Sequence, residues 1–204
     1  MVVESKKNIN LESVFAENEL IKIELGCGKT KKEGYIGIDQ LDLPGVDLVG
    51  DVMPCMQLFP DASVDEIYSK SFLEHVDDLS AVISETIRIL KKDGVHNLYV
   101  PHFSNPYYYS DYTHTNFFGL YTLHYFTNDS KMRRKVPSFY GSDKITIVKQ
   151  RLVFTSPFLE RWPFKKILEL IFNSSTWMQE FYEENLCYIF PCYAIKITYL
   201  PVKN

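Results

Sequence analysis

The spacing of apolar positions changes several times along the chain, and each change predicts an element. Within residues 1–19, Leu11, Val14 and Phe15 among polar neighbours predict a short leading helix over 11–18. Ile21, Ile23 and Leu25 alternate and predict a strand over 21–25. A second apolar run, 35–39, ends on Asp39. Only the six residues Lys29 to Gly34 lie between Gly28 and Tyr35. A helical crossover between parallel strands takes about a dozen residues or more, so the first crossover is expected to be a loop. Pro44-Gly45 marks a turn, and 46–52 reads as a third strand ending at Asp51, followed by a loop over 54–61.

Residues 64–69 predict the fourth strand. Asp77 or Asp78 then caps a helix reaching about Lys92, with Leu79, Val82, Ile83, Ile87 and Leu90 on one face and Gly94 at its end. Residues 95–100 predict the fifth strand, closed by Pro101. The segment His102 to Phe126 holds ten aromatic rings and three histidines, and reads as a loop followed by a helix. Lys131 to Lys135 is a basic loop. Strands over 145–154 and 193–201 bracket helices over 162–172 and 176–186. Five strands with crossovers and two more at the end predict an α/β fold, with a mostly parallel seven-stranded sheet and one late antiparallel strand. No repeat and no linker interrupts the pattern, so residues 1–204 are expected to form one domain.

Composition narrows the function classes. Hydrophobic residues at 46% and charged residues at 24% describe a globular chain. No apolar run approaches the roughly 18 residues of a membrane span, and MVVESKKNIN lacks the apolar segment of a signal peptide. A net charge of −4 weighs against a nucleic-acid partner. Cys27, Cys55, Cys187 and Cys192 have no zinc spacing, and reduced thiols in a cytoplasmic protein are expected.

The stretch IKIELGCGKTKKEGYIGID combines a strand, a glycine turn, a second strand and a closing carboxylate. Glycines let a backbone approach a ligand, and a carboxylate ending the second strand can accept from both hydroxyls of a ribose. Other readings of the turn fail on single positions. A P-loop needs glycine where Ile23 stands, and a dinucleotide fingerprint needs glycine where Lys31 stands.

Taken in order, ELGCGK, GID, GDV, FLEHV, IRILKKDG and NLYVP resemble the class I S-adenosylmethionine-dependent methyltransferases. They most resemble the small bacterial members associated with capsule and lipopolysaccharide biosynthesis. The resemblance implies a Rossmann-like class I methyltransferase fold, with residues 21–101 as the cofactor-binding core and 102–140 as a lid on the acceptor side. It implies S-adenosyl-L-methionine as cofactor and S-adenosyl-L-homocysteine as product. The implied cofactor contacts are Glu24, Gly26, Cys27, Gly28, Asp39, Asp51, Val52, Met53 and Ser71. A third glycine of the family turn is replaced by Thr30. In quinone-biosynthesis relatives a similar LEHV segment contributes to a magnesium site, with an acid three residues before the glutamate. Ser71 stands there in this chain, so no metal is expected.

The implied reaction is O-methylation of a small polar acceptor, such as a sugar, a sugar nucleotide or another activated precursor of a surface polysaccharide. In-line transfer from a sulfonium needs alignment, and a base when the acceptor is a neutral hydroxyl. His114 with Asp111 is the candidate for that work, with His75 second. His102, Tyr107, Tyr108, Tyr109 and Tyr112 are candidates for holding the acceptor, whereas His124 sits among core-like residues. The competing class is a non-catalytic binding protein or scaffold on the same fold.

Overall fold

The structure is a computed structural model that describes residues 6–17, 20–128, 130–137, 139, 141 and 144–203. Its centre is a sheet of eight strands: β1 (Lys6–Lys7), β2 (Lys22–Leu25), β3 (Ile36–Asp39), β4 (Leu48–Val49), β5 (Val64–Lys70), β6 (Leu90–Pro101), β7 (Ile145–Val153) and β8 (Ala194–Pro201). They lie in the order β1-β4-β3-β2-β5-β6-β8-β7. The run β4-β3-β2-β5-β6 is parallel throughout, and β8 enters antiparallel between β6 and β7. All seven expected strands are present, with the expected late antiparallel one. The eighth, β1, is a two-residue edge strand antiparallel to β4.

Helices α1 (Leu11–Glu17), α2 (Val52–Met56), α3 (Leu79–Ile89), α4 (Trp162–Phe172) and α5 (Thr176–Asn185) flank the sheet. The expected end of α1 at residue 18 lies outside the described residues. The side chains of Ile23, Leu25, Ile38, Ile67, Ile83 and Ile195 form one buried core. Asp78 caps α3 by accepting from the Ala81 N–H at 2.9 Å, and Val82, Ile83, Thr86, Ile87 and Ile89 form its buried face.

The first crossover is the expected loop, and three carboxylates supply the acceptors that a helix would have supplied. Glu24 Oε2 accepts from the Lys32 N–H at 2.6 Å. Asp39 Oδ2 accepts from the Gly28 N–H at 2.8 Å. Asp47 Oδ2 accepts from the Gly37 N–H at 2.7 Å and from Lys31 Nζ at 2.6 Å. Charge-assisted bonds of this kind are about twice as strong as neutral ones.

A buried polar chain ties α3, β5, β6 and β8 together. The Thr86 hydroxyl donates to Ile83 O, so its oxygen accepts from Tyr199 Oη at 2.7 Å. Tyr199 Oη therefore accepts from His96 Nδ1 at 2.7 Å, and His96 Nε2 accepts from Ser69 Oγ at 2.9 Å. Burial pushes the His96 pKa down from 6.5 to about 3, which keeps the ring neutral.

Three expectations change. Residues 46–52 hold a strand only at 48–49, because Asp51 caps α2 inside the expected loop. Helix α3 stops at Ile89, and 90–94 join β6, so Gly94 is a strand residue rather than a helix cap. A Cβ at Gly94 would stand 2.9 Å from Val64 O on the neighbouring strand. The second half of 102–126 is not an α-helix but carries a 3-10 turn over Thr122–Phe126.

Candidate active site

A cavity of about 710 Å³ opens at the carboxyl ends of β2, β3 and β5, within the range of small-ligand pockets. Its walls include Gly26, Asp39, Asp51, Val52, Met53 and Ser71, six of the nine expected cofactor contacts. Gly26 has φ +65°, and a Cβ there would meet Phe72 Cδ2 at 2.6 Å. Only glycine lets the backbone take that turn beneath the Phe72 ring. Asp39 Oδ1 accepts from the Leu41 N–H at 2.9 Å, so its two oxygens hold both loops at the cavity mouth. Asp51 Oδ1 accepts from the Met53 N–H at 3.0 Å and so orients the start of α2. Ser71 has φ +50°, a left-handed conformation uncommon outside glycine and concentrated at functional sites.

Glu24, Cys27 and Gly28 do not line the cavity. Glu24 instead orders the 29–34 loop. Cys27 packs beneath it, and burial pushes its thiol up from 9.0 to about 11. Gly28 acts through its bond to Asp39. The sequence reading missed Gln40, Leu41, Phe72, Val76, Asp77, Asp78, Val82 and Thr113 on the wall. Phe72 and Val76 lie inside the FLEHV motif, which was the available signal. Thr113 comes from a distant loop and had none.

The far wall carries the titratable groups. His75 and Thr113 line the cavity, and the His114 ring lies 4.7 Å behind that of His75. The Thr113 hydroxyl donates to Asp111 Oδ1 at 2.6 Å, so its oxygen accepts from His75 Nδ1 at 2.9 Å. His114 Nδ1 faces Tyr108 O at 2.8 Å and donates to it, while His114 Nε2 lies 3.6 Å from Asp111 Oδ2. Bonds from the Thr113 side chain and backbone hold the Asp111 carboxyl below its ordinary range. Glu74 is 1% exposed, and its Oε2 has no hydrogen-bond partner among the described residues. Burial raises the Glu74 pKa from 4.5 to about 7, and the nearby Asp111 charge adds to the shift. The Glu74 carbonyl accepts from the Thr115 and Asn116 N–H groups at 2.8 and 3.1 Å, which clamps the aromatic segment to this wall.

His102 and Tyr108 are not among the residues that line the cavity. His102 is fully buried; Nδ1 meets Ser104 Oγ at 2.8 Å and Nε2 meets Glu183 Oε2 at 3.1 Å. Tyr108 is buried with its hydroxyl donated to Asn116 O. Both are framework residues. Tyr107, Tyr109 and Tyr112 are exposed, Tyr112 at 97%, and none lines the cavity. His124 is buried against Ser130 Oγ at 2.8 Å, in keeping with a core position.

An open sheet of this strand order, with its cavity at the carboxyl ends of the central strands, is the Rossmann-like class I methyltransferase fold. Residues 30–98 match the sequence model of a family described as a methyltransferase domain. Among solved structures, the chain is similar to a SAM dependent methyltransferase from Archaeoglobus fulgidus at 16% identity, covering 94% of each chain, with a TM-score of 0.52. It is also similar to a putative methyltransferase solved in complex with the Haloferax volcanii Trm112 methyltransferase activator. That likeness has 16% identity, covers 95% of this chain and 89% of the other, and has a TM-score of 0.51. These two likenesses speak for the fold. No curated protein matches the sequence. The matched stretch covers about a third of the chain and agrees with the methyltransferase fold that the two likenesses show.

Proposed function

We propose that this enzyme transfers the methyl group of S-adenosylmethionine to an oxygen of a small polar acceptor in the cytoplasm. The acceptor class is a sugar, a sugar nucleotide or a related activated precursor of a surface polysaccharide. The observation that carries the reading is the cavity itself, lined by Gly26, Asp39 and Asp51 at the strand ends and by His75 and Thr113. Each Asp39 oxygen spends one lone pair on a backbone N–H and keeps another for a ribose hydroxyl. Val52 and Met53 supply apolar contact to the adenine, and Asp51 accepts from its amine.

In the reaction, an acceptor oxygen lone pair forms a bond to the methyl carbon. The carbon–sulfur bond breaks, its electron pair returns to sulfur, and S-adenosylhomocysteine leaves. The hydroxyl proton passes to the histidine wall, where His114 with Asp111, and His75 on the cavity side, deprotonate or orient the acceptor. Residues 102–140 act as the acceptor-side lid, and the exposed Tyr107, Tyr109 and Tyr112 offer ring faces to a sugar or base. The test is a screen of nucleotide-activated sugars with S-adenosylmethionine, read by mass spectrometry as a gain of one methyl group. A methylated sugar nucleotide supports the assignment. Methylation confined to a protein or nucleic acid overturns it.

A further inference from the structure

The histidine wall holds more ligating capacity than base catalysis uses. One donor atom from each of Glu74, His75 and His114 lies within 4.8 Å of the other two. The hydrogen bonds around them fix where the lone pairs are. Thr113 spends its only proton on Asp111, so His75 Nδ1 must donate to Thr113 and the neutral ring keeps its lone pair on Nε2. His114 Nδ1 faces a carbonyl, which only accepts, so this ring too keeps its lone pair on Nε2. That Nε2 lies 3.6 Å from Asp111 Oδ2. Glu74, whose Oε2 is buried without a hydrogen-bond partner among the described residues, belongs to the same cluster. One ligand atom from each of two imidazoles and from this carboxylate thus lies in one small volume.

We propose that Glu74, His75 and His114 bind a divalent transition-metal ion. Two imidazoles and one carboxylate form the donor set of catalytic zinc sites and of facial iron sites, and both leave positions open for water or substrate. Imidazole donors favour zinc, cobalt, iron or nickel over magnesium, which takes oxygen ligands. This differs from the magnesium site of the quinone-biosynthesis relatives, whose additional acid is Ser71 here. Ligands of one zinc ion stand roughly 3–3.5 Å apart, so small side-chain rotations close these three onto an ion. Thr113 and the Tyr108 carbonyl hold the outer nitrogens, the kind of support that fixes ring orientation at metal sites. His75 also lines the cavity, so an open coordination position there meets the acceptor. A metal-coordinated hydroxyl loses its proton more readily than a free one. On this assignment the imidazoles act as ligands, and the acceptor is activated by the ion. The role rests on the methyltransferase reading; the binding site does not.

The experiment uses the full chain stripped with chelator. Zinc and cobalt salts are titrated by calorimetry, and the cobalt form is read by visible absorption. S-adenosylhomocysteine is titrated separately. One ion per chain is expected, with a cobalt ligand-field spectrum that disappears in His75→Ala and His114→Ala. Thr113→Val, which removes an outer support, should weaken the ion roughly 10–100-fold. If His114→Ala fails to fold by circular dichroism, His75→Ala and Thr113→Val still decide. Binding of S-adenosylhomocysteine without uptake of an ion overturns the metal site and leaves the methyltransferase reading standing. Equal ion uptake by the parent and the histidine variants also overturns it. Uptake of an ion that these variants lose, in a chain that does not bind S-adenosylhomocysteine, supports the site and sinks the methyltransferase reading instead.

Discussion

Replacing Glu74 by glutamine should flatten the dependence of stability on pH. The Glu74 carboxyl is 1% exposed, and its pKa rises from 4.5 to about 7 on folding. Between those values the unfolded chain has released this proton while the folded chain still holds it. Stability from this group is therefore fully present below about pH 4 and is lost as pH rises through 7. At about 1.4 kcal/mol for each pKa unit, the loss is on the order of 3 kcal/mol. A chain of this size shifts roughly 2–4 °C per kcal/mol, so the melting temperature should fall by about 6–12 °C from this group alone. The assay is thermal unfolding from pH 4 to 8 in chelator, for the parent and for Glu74→Gln. Subtracting the two profiles removes the contribution of other groups, including His96, whose lowered pKa acts with opposite sign as pH falls below 6.5. The difference should grow between pH 4.5 and 7 and then level off. Parallel profiles would refute the claim that burial raises the Glu74 pKa on folding.

Asp39→Ala should raise the Kd for S-adenosylmethionine by about 1–3 kcal/mol and lower stability as well, because Gly28 and Leu41 lose their acceptor. An unchanged Kd by calorimetry removes Asp39 from the site. Gly26→Ala should cost about 2–4 kcal/mol, from the left-handed backbone and from displacing Phe72. A denaturation midpoint equal to that of the parent would show that the turn is not constrained. His114→Ala should lower turnover by about 10²–10⁴-fold with little change in cofactor Kd. Full turnover in that variant, together with loss in His75→Ala, would move the role to His75.

Much of the fold was legible because its signals are local. Alternation over 21–25 and 145–154 marked strands, the short spacing after Gly28 marked the loop crossover, and Asp77 or Asp78 marked the start of α3, where Asp78 is the cap. The failures involve positions that satisfy two patterns. Leu90 fits the helical face of α3 as well as it fits β6, and pairing of Val64 with Leu90 decides for the strand. Asp51 ends a strand and caps a helix, which hid α2. The segment after His114 has helical spacing, yet Thr115 and Asn116 bond to Glu74 and Val76, about 40 residues away. His102 resembled a site residue because it follows a strand end, but its partner Glu183 lies 81 positions on. On the cofactor side, glycine and strand-end acids carry the site within one short stretch. The wall with His75 and Thr113 is assembled from 72–76 and 111–116, and its hydrogen bonds have no sequence signature.

The central claim is that the cavity between Gly26, Asp39 and Asp51 is an S-adenosylmethionine site. Titration calorimetry of the full chain tests it most directly, with S-adenosylmethionine, S-adenosylhomocysteine, NADH and ATP injected separately. The two sulfur compounds should bind one per chain with a Kd in the micromolar range, about −8 kcal/mol, and NADH and ATP should give no heat of binding. Absence of binding by both sulfur compounds at millimolar concentration, or binding of NADH or ATP in their place, would contradict it.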